Sequence, residues 1–189
     1  MRTALESFDI ELIGLADIDS ELPNIDENGK TPLENAEIKA RAYYEAFQIP
    51  VFSCDSGLYY EGAAKKEQPG VCVRTVNGKS LTDDQVRMRI INAVKTYGEI
   101  TAYYKHAICS IAEEGKMYEI MDESTESKRF VLTDTPHSSG NKGFPIDSLS
   151  VDIETGMYFY DLPKDEVDKL AIPDGVIQFF ADTKEKLVI

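Results

Sequence analysis

The stretch "TPLENAEIKARAYYEAF", residues 31 to 47, leaves the chain little choice of local structure. The Thr31 hydroxyl can cap a helix, Pro32 suits the first helical position because it has no N–H to leave unpaired, and Glu34 stands three residues after the cap. Leu33, Ala36, Ala40, Tyr43, Tyr44 and Phe47 then recur at three- and four-residue spacing. That spacing predicts one buried stripe, with Glu34, Asn35, Glu37, Lys39 and Arg41 on the other faces. The run that follows is of another kind. "VFSCDSGLYYEG", residues 51 to 62, is rich in strand formers but broken at its centre by Cys54-Asp55-Ser56-Gly57. Those residue types predict two half-strands joined by a turn, with Asp55 at a strand end.

The remaining elements follow from the same signals. "MRTALESF" has the pattern of the last turns of a helix, "DIELIGL" that of a short strand, and residues 16–30 are an acidic loop without apolar periodicity. Pro69-Gly70 marks a turn. Thr82 and Gln85 form a second capping box, Val86, Ile90, Ile91, Val94 and Tyr97 give an apolar face, and Gly98 closes the helix. Residues 99–133 alternate apolar with polar in long segments joined by Glu113-Glu114-Gly115-Lys116, the pattern of antiparallel strands with a hairpin. Residues 136–152 are a loop bearing glycine and serine, 156–162 are strand-like, 163–171 are a short helix, and 176–187 are a terminal helix with Val176, Phe179 and Phe180 on one face. Helices mixed with extended antiparallel strands predict an α/β or α+β fold with a mixed sheet, in one domain over residues 1–189.

Charge narrows the partners. A formal charge of −14, from 34 acidic against 20 basic residues, repels a nucleic acid polymer and an anionic membrane surface alike. A small anionic ligand remains compatible, since local cations, helix N-termini or a divalent metal can offset the field. Cys54, Cys72 and Cys109 are an odd number without a CxxC pair, which argues against a disulfide framework and against a thiolate zinc site. With no apolar run of the ~20 residues that span a bilayer and no signal-peptide pattern, a cytoplasmic protein is expected. His106 and His137, far apart and on patterns of a strand and a loop, are expected to be structural rather than metal ligands.

Three groups of residues can carry chemistry. Glu34 and Asp55, about 20 residues apart, are carboxylates that would suit Mg²⁺, a hard cation usually held by one or two carboxylates and substrate phosphates. A capping box explains Glu34 without any metal, and a hairpin turn explains Asp55. In "SSGNKGFPID", residues 138–147, Gly140 and Gly143 let backbone amides approach an anion and Lys142 adds charge, although an ordinary loop has the same composition. Asn35 and Lys39, four apart on one helical face, can present an amide and an ammonium to a ligand, or to solvent. Tyr103, Tyr104, Tyr158 and Tyr160 can stack on a base, but strand aromatics more often pack across strands.

Taken in order, "ENGKTPLENAEIKARAYYEAFQIPVFSCDSGLYYEG", "QPGVCVRTVNGKSLTDDQ" and "KGFPIDSLSVDIETGMYFYDL" resemble the inosine triphosphate pyrophosphatase family. Gly29, Thr31, Glu34, Asn35, Ala36, Lys39 and Ala40 match its G-x-T-F-x-E-N-A-x-x-K-A, Asp55-Ser56-Gly57-Leu58 the last four residues of its D-D-S-G-L, and Phe144 and Asp147 the ends of the F-G-Y-D in its G-F-G-Y-D-P. The resemblance implies an elongated two-lobed α/β fold, with a long mixed sheet flanked by helices and a cleft between the lobes. It implies hydrolysis of nucleoside triphosphates with deaminated purines to the monophosphate and pyrophosphate, with Mg²⁺, by a homodimer. Asp55 would then be proton acceptor and metal carboxylate, Glu34 the second metal carboxylate, and Ser56, Asn35, Lys39, Phe144, Asp147 and Lys142 would contact substrate. The chain also departs from the family. It lacks the opening strand and its T/S-x-x-N-x-x-K loop, so the expectation is either a start at an internal methionine or a lineage without that phosphate grip. Cys54 replaces an aspartate, Pro145-Ile146 replaces Gly-Tyr, and "AIPDG" stands where the family has S-H-R-G, leaving Lys169 or Lys164 as the cation there. A nucleotide-binding or dimeric interaction protein that keeps the fold without turnover is the alternative expectation.

Overall fold

The structure, a computed structural model, describes Leu5, Phe8 and residues 11–76, 78–164, 166–167 and 172–187. The chain is mixed α/β, with a mainly antiparallel sheet and three described helices: α1 (Pro32–Phe47), α2 (Asp83–Tyr97) and α3 (Asp174–Leu187). Two compact units divide it, residues 1–56, 105–126 and 172–189 in the first and residues 57–104 and 127–171 in the second. The strands β1 (Val51–Tyr60) and β4 (Ile100–Ile111) contribute residues to both.

In the first unit, α1 starts as its sequence dictates. Thr31 is extended and its Oγ1 accepts the Glu34 N–H at 3.2 Å, while Gln48, at φ 54°, ends the helix by donating to the Tyr44 carbonyl. Ala36 and Ala40 are wholly buried against Ala107, Cys109 and Ile111 of β4, with Leu33 and Tyr44 beside them. Asn35, expected on an outer face, is buried at 5% exposure. Hydrogen bonds at both ends of its amide make that burial tolerable. The other residues of β4 face the opposite way, as strand alternation requires. Ile108 packs with Phe52, Val176, Phe179 and Phe180, so the apolar face expected of α3 is the one it buries. Gly175 sits so close to Ser124 that a Cβ there would meet its backbone carbonyl at 2.5 Å. The expected hairpin at residues 113–116 joins β4 to β5 (Met117–Ile120), with Ile108 opposite Ile120 and Gly115 at φ 78°.

The stretch 51–62 is a correction to the sequence reading. No turn forms at Cys54–Gly57, because β1 runs unbroken from Val51 to Tyr60. Gly57 serves close approach instead. Leu58 and Gly70 exchange both backbone hydrogen bonds, at 3.0 and 2.8 Å, and a Cβ on Gly57 would lie 3.0 Å from the Gly70 carbonyl carbon.

In the second unit, β4 pairs with β6 (Phe130–Leu132), and β6 with β7 (Ser150–Asp152), both antiparallel. A two-residue pair, β2 (Thr75–Val76) with β3 (Lys79–Ser80), precedes α2. Thr82 and Gln85 make the reciprocal capping box and Gly98 ends the helix, as read from sequence. Val86 and Ile90 join Leu58, Ile100, Phe130, Leu132 and Leu149 in the core. Tyr97, assigned to the same apolar face, is 61% exposed, since it lies in the last turn of α2 beyond those core residues. β7 arises inside the segment expected to be loop, and where a strand was expected near 156–162 a single bridge at Tyr158 leads into a 3-10 turn, Phe159–Asp161.

The helix expected over residues 1–8 lies outside the described residues except for Leu5 and Phe8, and that over 163–171 lies largely outside them. Of the strand expected over 9–15, residues 11–14 have no regular structure and Leu15–Asp17 form a 3-10 turn. No described helix is long and apolar enough to cross a membrane. Cys54, Cys72 and Cys109 are free thiols.

Candidate active site

Strand alternation aims Asp55 at α1, and two α1 side chains receive it. Lys39 Nζ lies 2.8 Å from Asp55 Oδ1, and Asn35 Nδ2 donates to Oδ2 at 3.3 Å. The same two residues also hold the preceding loop. Lys39 Nζ is 2.8 Å from Glu27 Oε2, and Asn35 Oδ1 accepts the Gly29 N–H at 2.8 Å. A side chain at Gly29 would meet Asn35 Oδ1 at 2.6 Å, so glycine is required there for close approach. Lys39 and Asp55 are each 16% exposed and Glu27 44%. Burial works against the Lys39 ammonium, but the hydrogen bonds and charges of Asp55 and Glu27 outweigh it and raise its pKa.

Glu27 is the residue the sequence reading missed. It is one of five carboxylates in residues 16–30, and nothing in their spacing separates it from the others. Glu34, the other carboxylate expected at the site, accepts the Lys30 N–H at 2.6 Å and closes the start of α1. The two carboxylates that share one cationic nitrogen are therefore Glu27 and Asp55. Among the described residues no group of three or more His, Cys, Asp or Glu side chains is disposed to hold a metal ion.

Ser56, one residue on, projects from the opposite face of β1 and is not brought to Asp55. Its Oγ lies 2.7 Å from His106 Nδ1, in an imidazole whose pKa burial lowers. Cys54 shares that face. The protein packed around its thiol pushes the pKa up to about 11, against a lowering pull from Lys39 and with a further push from Asp55.

The second unit contains the other expected residues. Phe144 is 61% exposed, Lys142 is exposed, and burial raises the pKa of the half-buried Asp147. Gly143, at φ 91°, donates its N–H to Asp83 Oδ2 at 2.8 Å, and its carbonyl accepts from Arg74. Arg74 Nη1 and Asp83 Oδ1 are 2.9 Å apart. The Gly143 amide and then Arg74 hold the Asp83 carboxyl below its ordinary range. A concavity of about 400 Å³ beside this loop is lined by Asp83, Arg87, His137, Ser139, Lys142 and Ser148, among others. His137 packs against Tyr158 and Tyr160 and reaches Asp161 at 3.3 Å. Tyr103 packs with Tyr59 and under Arg129, and Tyr104 on Phe130. Lys169 lies outside the described residues.

Comparison with known proteins points one way. The Ham1 family model matches residues 1–171. A dITP/XTP pyrophosphatase of Geobacter sulfurreducens is 29% identical over 161 residues, 84% of this chain and 76% of that protein. One from Campylobacter jejuni is 32% identical over 135 residues, 67% of this chain and 62% of that protein. Among solved structures, the Staphylococcus aureus Ham1 protein superposes with a TM-score of 0.70 at 18% identity, covering 97% of this chain and 95% of that one. A HAM1 protein from Coxiella burnetii gives 0.69 at 20% identity, covering 97% and 92%. At such identities the structural likeness speaks for the fold.

Proposed function

The chain belongs to the Ham1 family, and from that premise we propose that it hydrolyses nucleoside triphosphates carrying deaminated purines, dITP and XTP among them, to the monophosphate and pyrophosphate. The observation that carries this reading is the Asp55 carboxylate, steered at both oxygens by α1 and sharing a cation with a second carboxylate.

Those residues suit Mg²⁺ in donor chemistry. Glu27 and Asp55 offer hard oxygens that already converge on one positive charge, the ammonium of Lys39. In this proposal Glu27, rather than Glu34, is the second metal carboxylate. A bound Mg²⁺ would neutralise phosphate charge around the bond to be broken. The chain's own residues supply the rest. Asp55 Oδ1 is held by Lys39, whereas the 3.3 Å contact at Oδ2 is long, so Oδ2 is the atom that accepts the proton of the attacking water. As the α–β phosphoanhydride breaks, Lys39 offers its ammonium to phosphate oxygens. Phe144 presents an exposed ring for the purine, with Asp147 and Lys142 nearby in sequence. Ser56, facing His106, stands apart from Asp55 in this scheme.

Pyrophosphate release from dITP, XTP, ITP, GTP, ATP and dUTP, with and without Mg²⁺, tests the proposal. Release from the deaminated purines that needs Mg²⁺ and disappears in Asp55→Asn supports it. Binding of the same triphosphates without release would favour a nucleotide-binding protein that keeps the fold. A homodimer belongs to this proposal and is checked by sedimentation equilibrium.

A further inference from the structure

Phe144 is 61% exposed, yet the backbone that carries it is tightly held. Gly143 gives its N–H to Asp83 and its carbonyl to Arg74, and those two side chains pair with each other at 2.9 Å. One residue thus closes a ring of three polar contacts, with side chains 60 and 69 residues away in sequence. Farther along the loop, the Phe144 N–H donates to the Asn141 carbonyl at 3.1 Å, and the Asn141 N–H to the Tyr160 hydroxyl at 2.8 Å. Gly143 has φ 91°, where a side chain would be strained, so the sequence reserves that position for the bend.

Stability is a poor account of this clamp. Arg74 is 43% exposed and Asp83 26%, and ion pairs as open as this contribute little to the fold. What the clamp does is remove freedom from the peptide that aims an aromatic ring at solvent. Fixing such a ring in advance lowers the ordering penalty when a flat partner arrives, and a purine stacks on phenylalanine.

We propose that Asp83 and Arg74 are positioning residues for the nucleobase: they hold Gly143 so that the Phe144 ring is set to stack on the purine. This rests on the reading of the chain as a hydrolase of purine nucleotides, and it assigns base affinity to residues that never touch the base. Asp83 is also the first residue of α2, where any carboxylate would favour the helix N-terminus. Asp84 shares that first turn without bonding to Gly143, and so serves as the control.

The chain has no tryptophan, so Phe144→Trp places a single indole on the loop. Its time-resolved anisotropy reports loop order without nucleotide, and its quenching by dITP reports stacking. In this background, Asp83→Ala should free the indole and weaken dITP binding about tenfold. With Phe144 restored, the same change should raise KM about tenfold and leave kcat within about threefold. Arg74→Met, which leaves the helix start intact, should act in the same direction, and Asp84→Ala should do neither. An indole equally ordered in Asp83→Ala with undiminished quenching overturns the proposal, as do equal losses in Asp84→Ala. No quenching by dITP, XTP or ATP in the parent Phe144→Trp protein overturns the nucleobase reading itself, and this proposal with it.

Discussion

The ammonium of Lys39 stands 2.8 Å from Asp55 and 2.8 Å from Glu27, so one half-buried cation keeps two carboxylates together. Coulomb repulsion between the two anions is held in check only while that charge is present. Lys39→Met should therefore lower stability by about 1–2 kcal/mol, between the values for exposed and for buried ion pairs, since Glu27 is 44% exposed. Asp55→Asn should be milder, since Lys39 retains Glu27. Urea denaturation of both variants checks the order, and a Lys39→Met protein as stable as the parent would show that the triad contributes nothing to the fold.

The choice between Glu27 and Glu34 as the second metal carboxylate has a direct test. Mn²⁺ can replace Mg²⁺ as a hard divalent probe, and its free signal in electron paramagnetic resonance gives affinity without turnover. Glu27→Gln should weaken Mn²⁺ binding by about tenfold or more, the scale seen when groups supporting a metal are removed. Glu34→Gln should leave it within about twofold and cost only about 1 kcal/mol of stability through its weakened bond to the Lys30 amide. The reverse pattern would return the role to Glu34.

Local signals made much of the fold legible. Thr31, Pro32 and the alanine stripe located α1, and Thr82 with Gln85 located α2, because capping and periodicity act within a few residues. The hairpin at Gly115 was legible for the same reason. What failed was long-range. Gly57 carries the same turn signal whether it bends a chain or admits a neighbour, and only the arrival of Gly70 decides. Asn35 read as an outer polar residue because its two partners, Gly29 and Asp55, lie on opposite sides of it in sequence. At the candidate site, the resemblance singled out Asp55 and Lys39, which the structure pairs at 2.8 Å. Glu27 and the Asp83–Arg74 clamp were not singled out, since a carboxylate in an acidic loop and a helix-start aspartate each have a sufficient local explanation.

Gly57 admits Gly70 only because it lacks a side chain. Alanine there would place a methyl group 3.0 Å from the Gly70 carbonyl carbon and 2.9 Å from the Tyr59 ring. Backbone must move, and the Leu58–Gly70 pair with it. Gly57→Ala should lose about 2 kcal/mol, typical of an overpacked site. Slowed hydrogen exchange at Leu58 and Gly70 should also be lost. A Gly57→Ala protein of parental stability with both amides still protected would show that the Leu58–Gly70 pair admits a side chain at position 57 and that close approach does not require glycine there.

Asp147 offers the pH-dependent test. Burial raises its carboxyl pKa, so the fold favours the protonated form. Below the unfolded value of about 3.9 both states hold the proton and the group is neutral to stability. As pH rises through the folded pKa, the folded protein must ionise a desolvated carboxyl that the unfolded chain ionised already, and stability is lost. Asp147→Asn has no proton to lose. It should be more stable than the parent at pH 7, by a margin that narrows toward pH 4 in urea titrations at the two values. If Asp147 contacts the purine, the same variant should bind dITP more weakly while being the more stable protein. A parent more stable than Asp147→Asn at pH 7 would mean that the carboxylate finds compensating partners in the fold and is not held there at the fold's expense.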